Sequence, residues 1–534
     1  MPARSDVSIR TGRAAFDEIA PFVRHCLEHD RLDLTIDGHR IRGYRAPDAR
    51  SVWIRDHSDM LRAFRYFETD VTSAVQHFAD TQAESGRVFD YVTTFPEKPG
   101  ERENWTKYVR VPVEADVEYR FVKAAFLAWQ ACGDDGWMRG LLPKLEKALL
   151  YVQDHPWYWD STHGLVKRAY TIDTWDFAYT ARRHDWLQFQ ITDDTYWGLM
   201  HGDSSGYCES CRLLAVLQRR LGDPARAAWW DATAAAVRES LNRTCWNGRF
   251  YTHFVKLTPV TIPGVDETEQ LSLSNPMAVN RGAATHEQAV SILREYLRRR
   301  AGTGAFAEWF SIDPPFPDGV FGDDRLVAGA YCNGGIMPLV GGELARAAFD
   351  HGFEAYGADI LRRYHDLIVT KGETYLWYFP DGTPASVDRS TSPDALPTDG
   401  WGSSAMLWAL VEGLAGLVDA GRGWDRLSIA PRWLAAEIEE AEMSVGYPAS
   451  ARGVGYQFRA LRGSITLEVE ADGAHVRFHV LLPAGARARA VTAGSACVPF
   501  NDVAVEGSRY ADFEAPVDGS KLFRVDLEKG SGNI

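Results

Sequence analysis

From Ser51 to about residue 420, apolar positions recur three and four residues apart, which is the spacing of one helix face. The pattern predicts helices over Asp59–Thr81, Asp116–Cys132, Gly136–Asp154, Asp203–Leu221, Pro224–Cys245, His286–Arg300, Asp324–Phe349, Phe353–Lys371 and Gly402–Asp419. The flanks read differently. Residues 1–50 hold a short helix from Ala14 to His29, then the run LTIDGHRIRGYR, a strand pair turning at Asp37-Gly38. Past Arg422 the period falls to two, in GVGYQFRA, SITLEVEA, AHVRFHVLLP and ARARAVTAG, with turns at Leu461-Arg462-Gly463 and Ala471-Asp472-Gly473. That alternation predicts a small C-terminal β-sandwich. The expected division is a segment 1–50 packing on the helical part, a helical domain 51–421, and a β-domain 422–534.

The helices come in pairs. LLAVLQRRLGDPARAAWWDATAAAVRESLNRTCW is a helix, a Gly-Asp-Pro turn and a second amphipathic helix, and AAFDHGFEAYGADILRRYHDLI repeats the plan. Ten to twelve such helices can close into a ring with the loops at one rim, although an open helical array has the same periodicity. Four connections are long and rich in Trp, Asp, Gly and Pro: Arg87–Pro112, His155–Trp197, Phe306–Asp323 and Gly372–Trp401. Loops of that length are uncommon in a compact domain unless they carry function.

Charge and composition narrow the chemistry. A formal charge of -15 argues against nucleic acid, whose phosphates select a basic face. Eighteen Trp, 21 Tyr and 25 Phe exceed what a helical core needs, and aromatic faces beside carboxylates suit sugar rings and their hydroxyls. The start MPARSDVSIRTGRAAF lacks the apolar stretch of a secretory signal, and no run approaches a membrane span. Seven scattered cysteines fit reduced thiols in a cytosol, and Cys208-x-x-Cys211 has no second pair to make a zinc site. The expectation is a cytoplasmic protein with no metal, cofactor, nucleic acid or membrane partner, of undetermined oligomeric state.

Five stretches carry candidate chemistry. SVWIRDHSDM sets Trp53, Arg55 and Asp56 just before a helix, where an Arg-Asp pair offers a polyol both donors and acceptors, or merely caps the helix. KYVRVPVEADVEY brings Arg110, Glu114 and Asp116 to the mouth of the next helix, a place that also suits carboxylates for the macrodipole alone. Asp173-Thr174-Trp175-Asp176 packs two carboxylates and an indole into one interhelical connection. YCNGGIMPLVGG has glycines that let a backbone approach a ligand or another helix. Gly372–Ser404 carries Glu373, Asp381, Asp388, Asp394 and Asp399 with Trp377, Tyr378 and Trp401.

On these motifs the chain resembles the six-hairpin glycoside hydrolase superfamily. Trp53-Ile54-Arg55-Asp56 resembles the W-x-R-D of glucoamylases and exo-mannosidases, with His57 where those families have Ser. Asp173-Thr174-Trp175-Asp176 is similar to the D-L-W-E that carries the glucoamylase acid, and YCNGGIMPLVGG to the Y-x-N-G-G-I-W-P of processing and debranching glucosidases. The resemblance implies a mainly α chain, an (α/α)6 toroid with its site at one rim. It implies Arg55 and Asp56 as the grip on a terminal sugar and Asp176 as general acid. One departure stands out: relatives place the catalytic base in [FY]-x-E near the last hairpin, and here Trp377 falls at that point. Glu373 is the first substitute and Asp399 the second.

The expected reaction is inverting, exo-acting hydrolysis of short α-linked oligosaccharides or glycosides, glucosides by default. Arg110, Glu114, Asp173, Trp53, Trp175, Trp377 and Trp401 would complete the substrate pocket. An inverting phosphorylase, a polysaccharide lyase and a non-catalytic carbohydrate binder remain alternatives. Extra cations at the site favour the first, Tyr or His near a uronate-binding Arg the second, and a missing base the third.

Overall fold

The computed structural model describes residues 6–47, 49–110, 114–173, 179, 191–322, 325–386 and 397–529. Among these, twelve helices of seven residues or more follow one another as α1 (Ile19–His29), α2 (Ile54–Phe64), α3 (Ser73–Thr81), α4 (Val117–Cys132), α5 (Asp135–Asp154), α6 (His201–Leu221), α7 (Pro224–Cys245), α8 (Ser274–Asn280), α9 (His286–Gly302), α10 (Pro338–Asp350), α11 (Glu354–Lys371) and α12 (Gly400–Trp408). The even-numbered helices pack α2 on α4, α4 on α6, α6 on α8, α8 on α10, α10 on α12, and α12 back on α2. That chain of contacts is a closed inner ring. The odd-numbered helices from α3 to α11 lie outside it, each against at least one sequence neighbour, and α1 covers α12. Because the chain returns through an outer helix each time, every inner helix starts at the same rim.

Local chemistry sets the boundaries. Asp223 caps α7 ahead of Pro224, and Thr285 and Gln288 form a reciprocal capping box on α9. Asp59–Thr81, expected as one helix, is two. Glu68 accepts the N–H groups of Thr69 and Asp70 at 2.8 and 3.0 Å, and Asp70 those of Thr72 and Ser73, so side chains take the amides a continuing helix would use. The helix expected from Asp324 starts only at Pro338, because Asn333 clamps the preceding loop through Phe316 and Leu326. The Gly402–Asp419 helix stops earlier too. After α12 come one wide turn (Ala409–Leu414) and a strand, Leu417–Asp419.

The inner helices meet through ion pairs as well as apolar contacts: buried Asp59 with Arg120 and part-buried Lys123 with Glu209 at 3.1 Å join ring neighbours, and buried Arg62 on α2 reaches Glu343 on α10 at 2.5 Å. On the α10–α12 seam, a β-carbon at Gly342 would stand 2.5 Å from the Ala405 carbonyl carbon. Gly342→Ala is therefore expected to lose about 1–3 kcal/mol despite alanine's better helix propensity, read as a lowered Tm.

Strands β1 (Ser8–Arg10), β2 (Arg31–Ile36) and β3 (His39–Tyr44) come from the N-terminal segment, and β4 (Ser51–Trp53), β5 (Tyr91–Thr94) and β6 (Trp105–Tyr108) form a small sheet at the rim. The β2–β3 hairpin turns at Asp37-Gly38, both at positive φ, as the sequence predicts. The C-terminal region is a ten-stranded, mostly antiparallel sheet that includes β1. Two of its strands are long, β7 (Ser464–Leu481) and β8 (Ser508–Lys529). Ala471-Asp472-Gly473, expected as a turn, is a bulge inside β7. Phe478 and Phe523 touch at 4.7 Å although Phe523 pairs with Leu467, eleven positions away along β7, so the sheet folds back over that bulge. With a sheet of this size the chain is mixed α and β rather than mainly α. Among the described residues no helix is long and apolar enough to cross a membrane.

Candidate active site

The rim where the inner helices begin gathers a group of buried charges. Arg55, one residue into α2, donates from Nε to Asp116 at 3.0 Å and from Nη2 to Asp90 at 3.3 Å and to Glu114. Arg110 donates from Nε to Asp90 at 2.5 Å and places Nη2 2.6 Å from Glu114. Three carboxyls and two guanidiniums are thus buried together. Burial pushes Glu114 well above the usual carboxylate range, with Asp90 and Asp116 adding to it against Arg110 and Arg55. Burial would raise Asp116 too, but Arg55 and Arg120 hold it low. Arg55 therefore braces the carboxyls of neighbouring elements, while Asp56 faces Arg45 at 3.7 Å.

Trp53 precedes α2 with its ring stacked on Tyr91 at 4.2 Å, and Tyr91 stacks on Tyr108 at 4.7 Å. The guanidiniums of Arg110 and Arg45 lie 4.3 and 4.5 Å from the Trp53 ring centre. Protein thus covers much of the indole face proposed to stack on a sugar. Its buried Nε1–H has no hydrogen-bond partner among the described residues.

A second cluster lies at α6 and α8. Asp173 is wholly buried, at φ 46°; its N–H donates to His253 Nε2 at 2.8 Å, and its carboxylate accepts from the N–H and Oγ–H of Ser274. Burial would raise Asp173, yet His201, Ser272 and Ser274 outweigh it and hold it low. Burial, with His201 and Arg168 adding to it against Asp173, sends His253 down to about 3, so this imidazole is a neutral acceptor. Asp203 faces Arg168 at 3.2 Å, and burial raises it to about 6. Asp173 is the anchor of its connection. Thr174, Trp175 and the expected acid Asp176 lie outside the described residues.

The third cluster joins α12 to α1. Asp399 caps α12 by accepting the Trp401 N–H at 2.9 Å, and Trp401 is buried beyond it. Burial lifts Asp399 to about 8; the Trp401 amide opposes this and Asp56 adds to it. Glu373 Oε1 accepts from Thr374 N–H at 2.7 Å and from Cys26 Sγ–H at 3.4 Å. Four residues on from Cys26, Asp30 abuts α12: its Oδ2 is 2.8 Å from where a Gly400 β-carbon would stand. Trp377 is 1% exposed, against Phe379 at 4.5 Å and Tyr331 at 6.4 Å, and so backs the loop rather than facing a ligand. Sequence reasoning missed Asp30, Arg45, Asp90, His201, Asp203 and His253. A histidine opening a helix and the Asp203 carboxylate two residues later were the one readable signal. Asp30 and Arg45 sit outside the helical stretch, in a segment expected only to pack.

A cavity of about 520 Å³ lies elsewhere, between α6 and α7, lined by Arg212, Arg238 and Asn242. These side chains bond the Arg281, Ala283 and Ala284 carbonyls after α8, which makes it a structural groove.

No protein-family model matches the chain, and no curated protein matches it. Solved structures do. The α-L-rhamnosidase of Dictyoglumus thermophilum superposes with a TM-score of 0.61 at 12% identity, over 98% of this chain and 50% of its own. A family 78 rhamnosidase of a Bacillus species gives 0.59 at 17%, over 90% of this chain and 43% of its own. The family 63 mannosylglycerate hydrolase of Thermus thermophilus, in complex with glucose, gives 0.51 at 14%, over 74% of this chain and 99% of its own. The fold is that of the six-hairpin glycosidases. These structural neighbours are glycoside hydrolases, and the chain spans half or less of the length of the two rhamnosidases.

Proposed function

We propose that this protein is an inverting glycoside hydrolase with Asp176 as general acid and Glu373 as general base. The observation that carries the reading is the contrast between the two carboxyls near α12. Asp399, raised to about 8, keeps its proton at neutral pH and cannot take one from water. Glu373 is half-buried, and its Oε1 accepts from a thiol and an amide, which suits a carboxylate acting as acceptor. Glu373 would deprotonate the attacking water, Asp176 would protonate the leaving oxygen, and the two would stand roughly 6.5–9.5 Å apart to admit that water. Asp399 would donate to a sugar hydroxyl, with Asp56 and the Trp53 Nε1–H beside it. Arg55, Arg110 and Glu114 would fix the pocket floor.

For the sugar, α-glucosides are the default that the resemblance gives. The rhamnosidases, which match 90–98% of this chain, support a second reading as an α-L-rhamnosidase. A panel of α- and β-linked glucosides, mannosides and rhamnosides, with the anomer of the released sugar followed by NMR, decides between them. Release of the inverted anomer from one member is expected. Retention of configuration would overturn the mechanism, and turnover only with added phosphate would make the protein a phosphorylase.

A further inference from the structure

The last turn of the N-terminal helix and the residue that ends it meet the two carboxyls that compete for the base role. Cys26 bonds Glu373, and Asp30, one turn later and 3% exposed, lies against the Asp399–Gly400 peptide with Leu27 and Met60 beside it. Among the described residues nothing hydrogen-bonds the Asp30 carboxyl. A buried carboxyl with no donor, next to a second one, disfavours a charge on either. We propose that Asp30 is a positioning residue that shares a proton-holding pocket with Asp399 and thereby keeps Asp399 as a hydrogen-bond donor, leaving Glu373 as the base. The catalytic half of this proposal rests on the hydrolase reading; the pairing of Asp30 with Asp399 does not.

The surroundings agree. Burial raises Asp30 well above the carboxylate range, and Asp399 and then Glu373 push it further. Asp399 is faced by Asp56 and Asp59 from α2, with Arg45 the cation opposing them. On the Glu373 side stand Cys26 and the phenols of Tyr364 and Tyr378, none of them cationic. The sign follows. A carboxyl whose folded pKa is raised binds a proton that the unfolded chain has lost, so stability falls as pH climbs from about 4 toward 8.

The test is thermal unfolding of the wild type, Asp30→Asn, Asp399→Asn and the double variant between about pH 5 and pH 9, beside the pH profile of kcat/KM. Asp30→Asn should gain Tm relative to the wild type increasingly as pH rises, and the gain should shrink when Asp399 is already Asn. In the profile, the loss of activity at high pH should move to lower pH in Asp30→Asn. A Tm offset that is the same at every pH, or a gain undiminished by Asp399→Asn, overturns the pairing, and the unfolding data decide this without any substrate. A profile unmoved while the Tm pattern holds overturns the catalytic half alone.

Discussion

Arg55→Met is expected to destabilise the protein by about 3–5 kcal/mol, the range seen when one partner of a buried ionic network is removed. The substitution keeps the volume and removes the one cation that bonds Asp90, Glu114 and Asp116 together. Arg110 still reaches Asp90 and Glu114, and Arg120 lies 3.5 Å from Asp116, so the carboxyls are left undercompensated rather than bare. Losing that cation raises the folded pKa values of Glu114 and Asp116, so they take up protons more readily. The loss should accordingly be smallest near pH 5 and grow toward pH 8, as denaturant midpoints across that interval would show. Arg10 and Glu442 make the contrast: 3.6 Å apart and mostly exposed, they form a surface pair whose loss should pass unnoticed. An Arg55→Met protein as stable as the wild type at pH 8 would mean that the rim carboxyls are wetter than the structure has them.

The helical half of the fold was legible because amphipathic helices of four to six turns repeat their apolar face often enough to read. Its closure was legible only through the resemblance of the motifs. Contact between α12 and α2 joins segments about 350 residues apart, and periodicity carries no information about which helices touch. Helix α8 escaped notice for a simpler reason: Ser274–Asn280 is seven residues long and buried but for its last residue, with no polar face to set off the apolar one. The bulge at Ala471-Asp472-Gly473 shows the opposite error. A turn tripeptide between two alternating runs reads as a hairpin, yet β8 pairs across both runs and makes them a single strand.

At the site, the motifs picked out residues that flank helix starts but not what those residues bond within the protein. Arg55 and Asp173 were expected to hold sugar. Both are buried and bonded within the protein, one to three carboxyls and the other to Ser274 and His253. A motif records which residue types recur at a site but not whether they touch the ligand or brace those that do. Asp30 could not be found at all. It lies against a glycine 370 residues further on, a contact that spacing along the chain does not reveal.

Glu373→Gln is expected to lower kcat about 10²–10⁴-fold, the scale of one lost proton transfer, or roughly 3–5 kcal/mol of barrier. Glutamine keeps the length, and its Oε1 can still accept from Cys26 and Thr374, so stability should hardly change. Asp399→Asn should cost far less activity, since an amide N–H can replace the carboxylic O–H as donor while its oxygen still caps α12 at Trp401. The pair of variants decides between the two candidate bases: a collapse in Asp399→Asn with Glu373→Gln active would reverse the assignment. Asp176→Asn separates acid from base by a different route. A leaving group that needs no proton, such as fluoride, should restore turnover in Asp176→Asn and leave Glu373→Gln inactive, because the base acts on water whatever departs. Azide should then rescue Glu373→Ala by supplying the nucleophile that the missing carboxylate no longer generates, giving a glycosyl azide of inverted configuration. Rescue that yields the retained anomer would instead place a covalent intermediate on the path and remove the inverting mechanism.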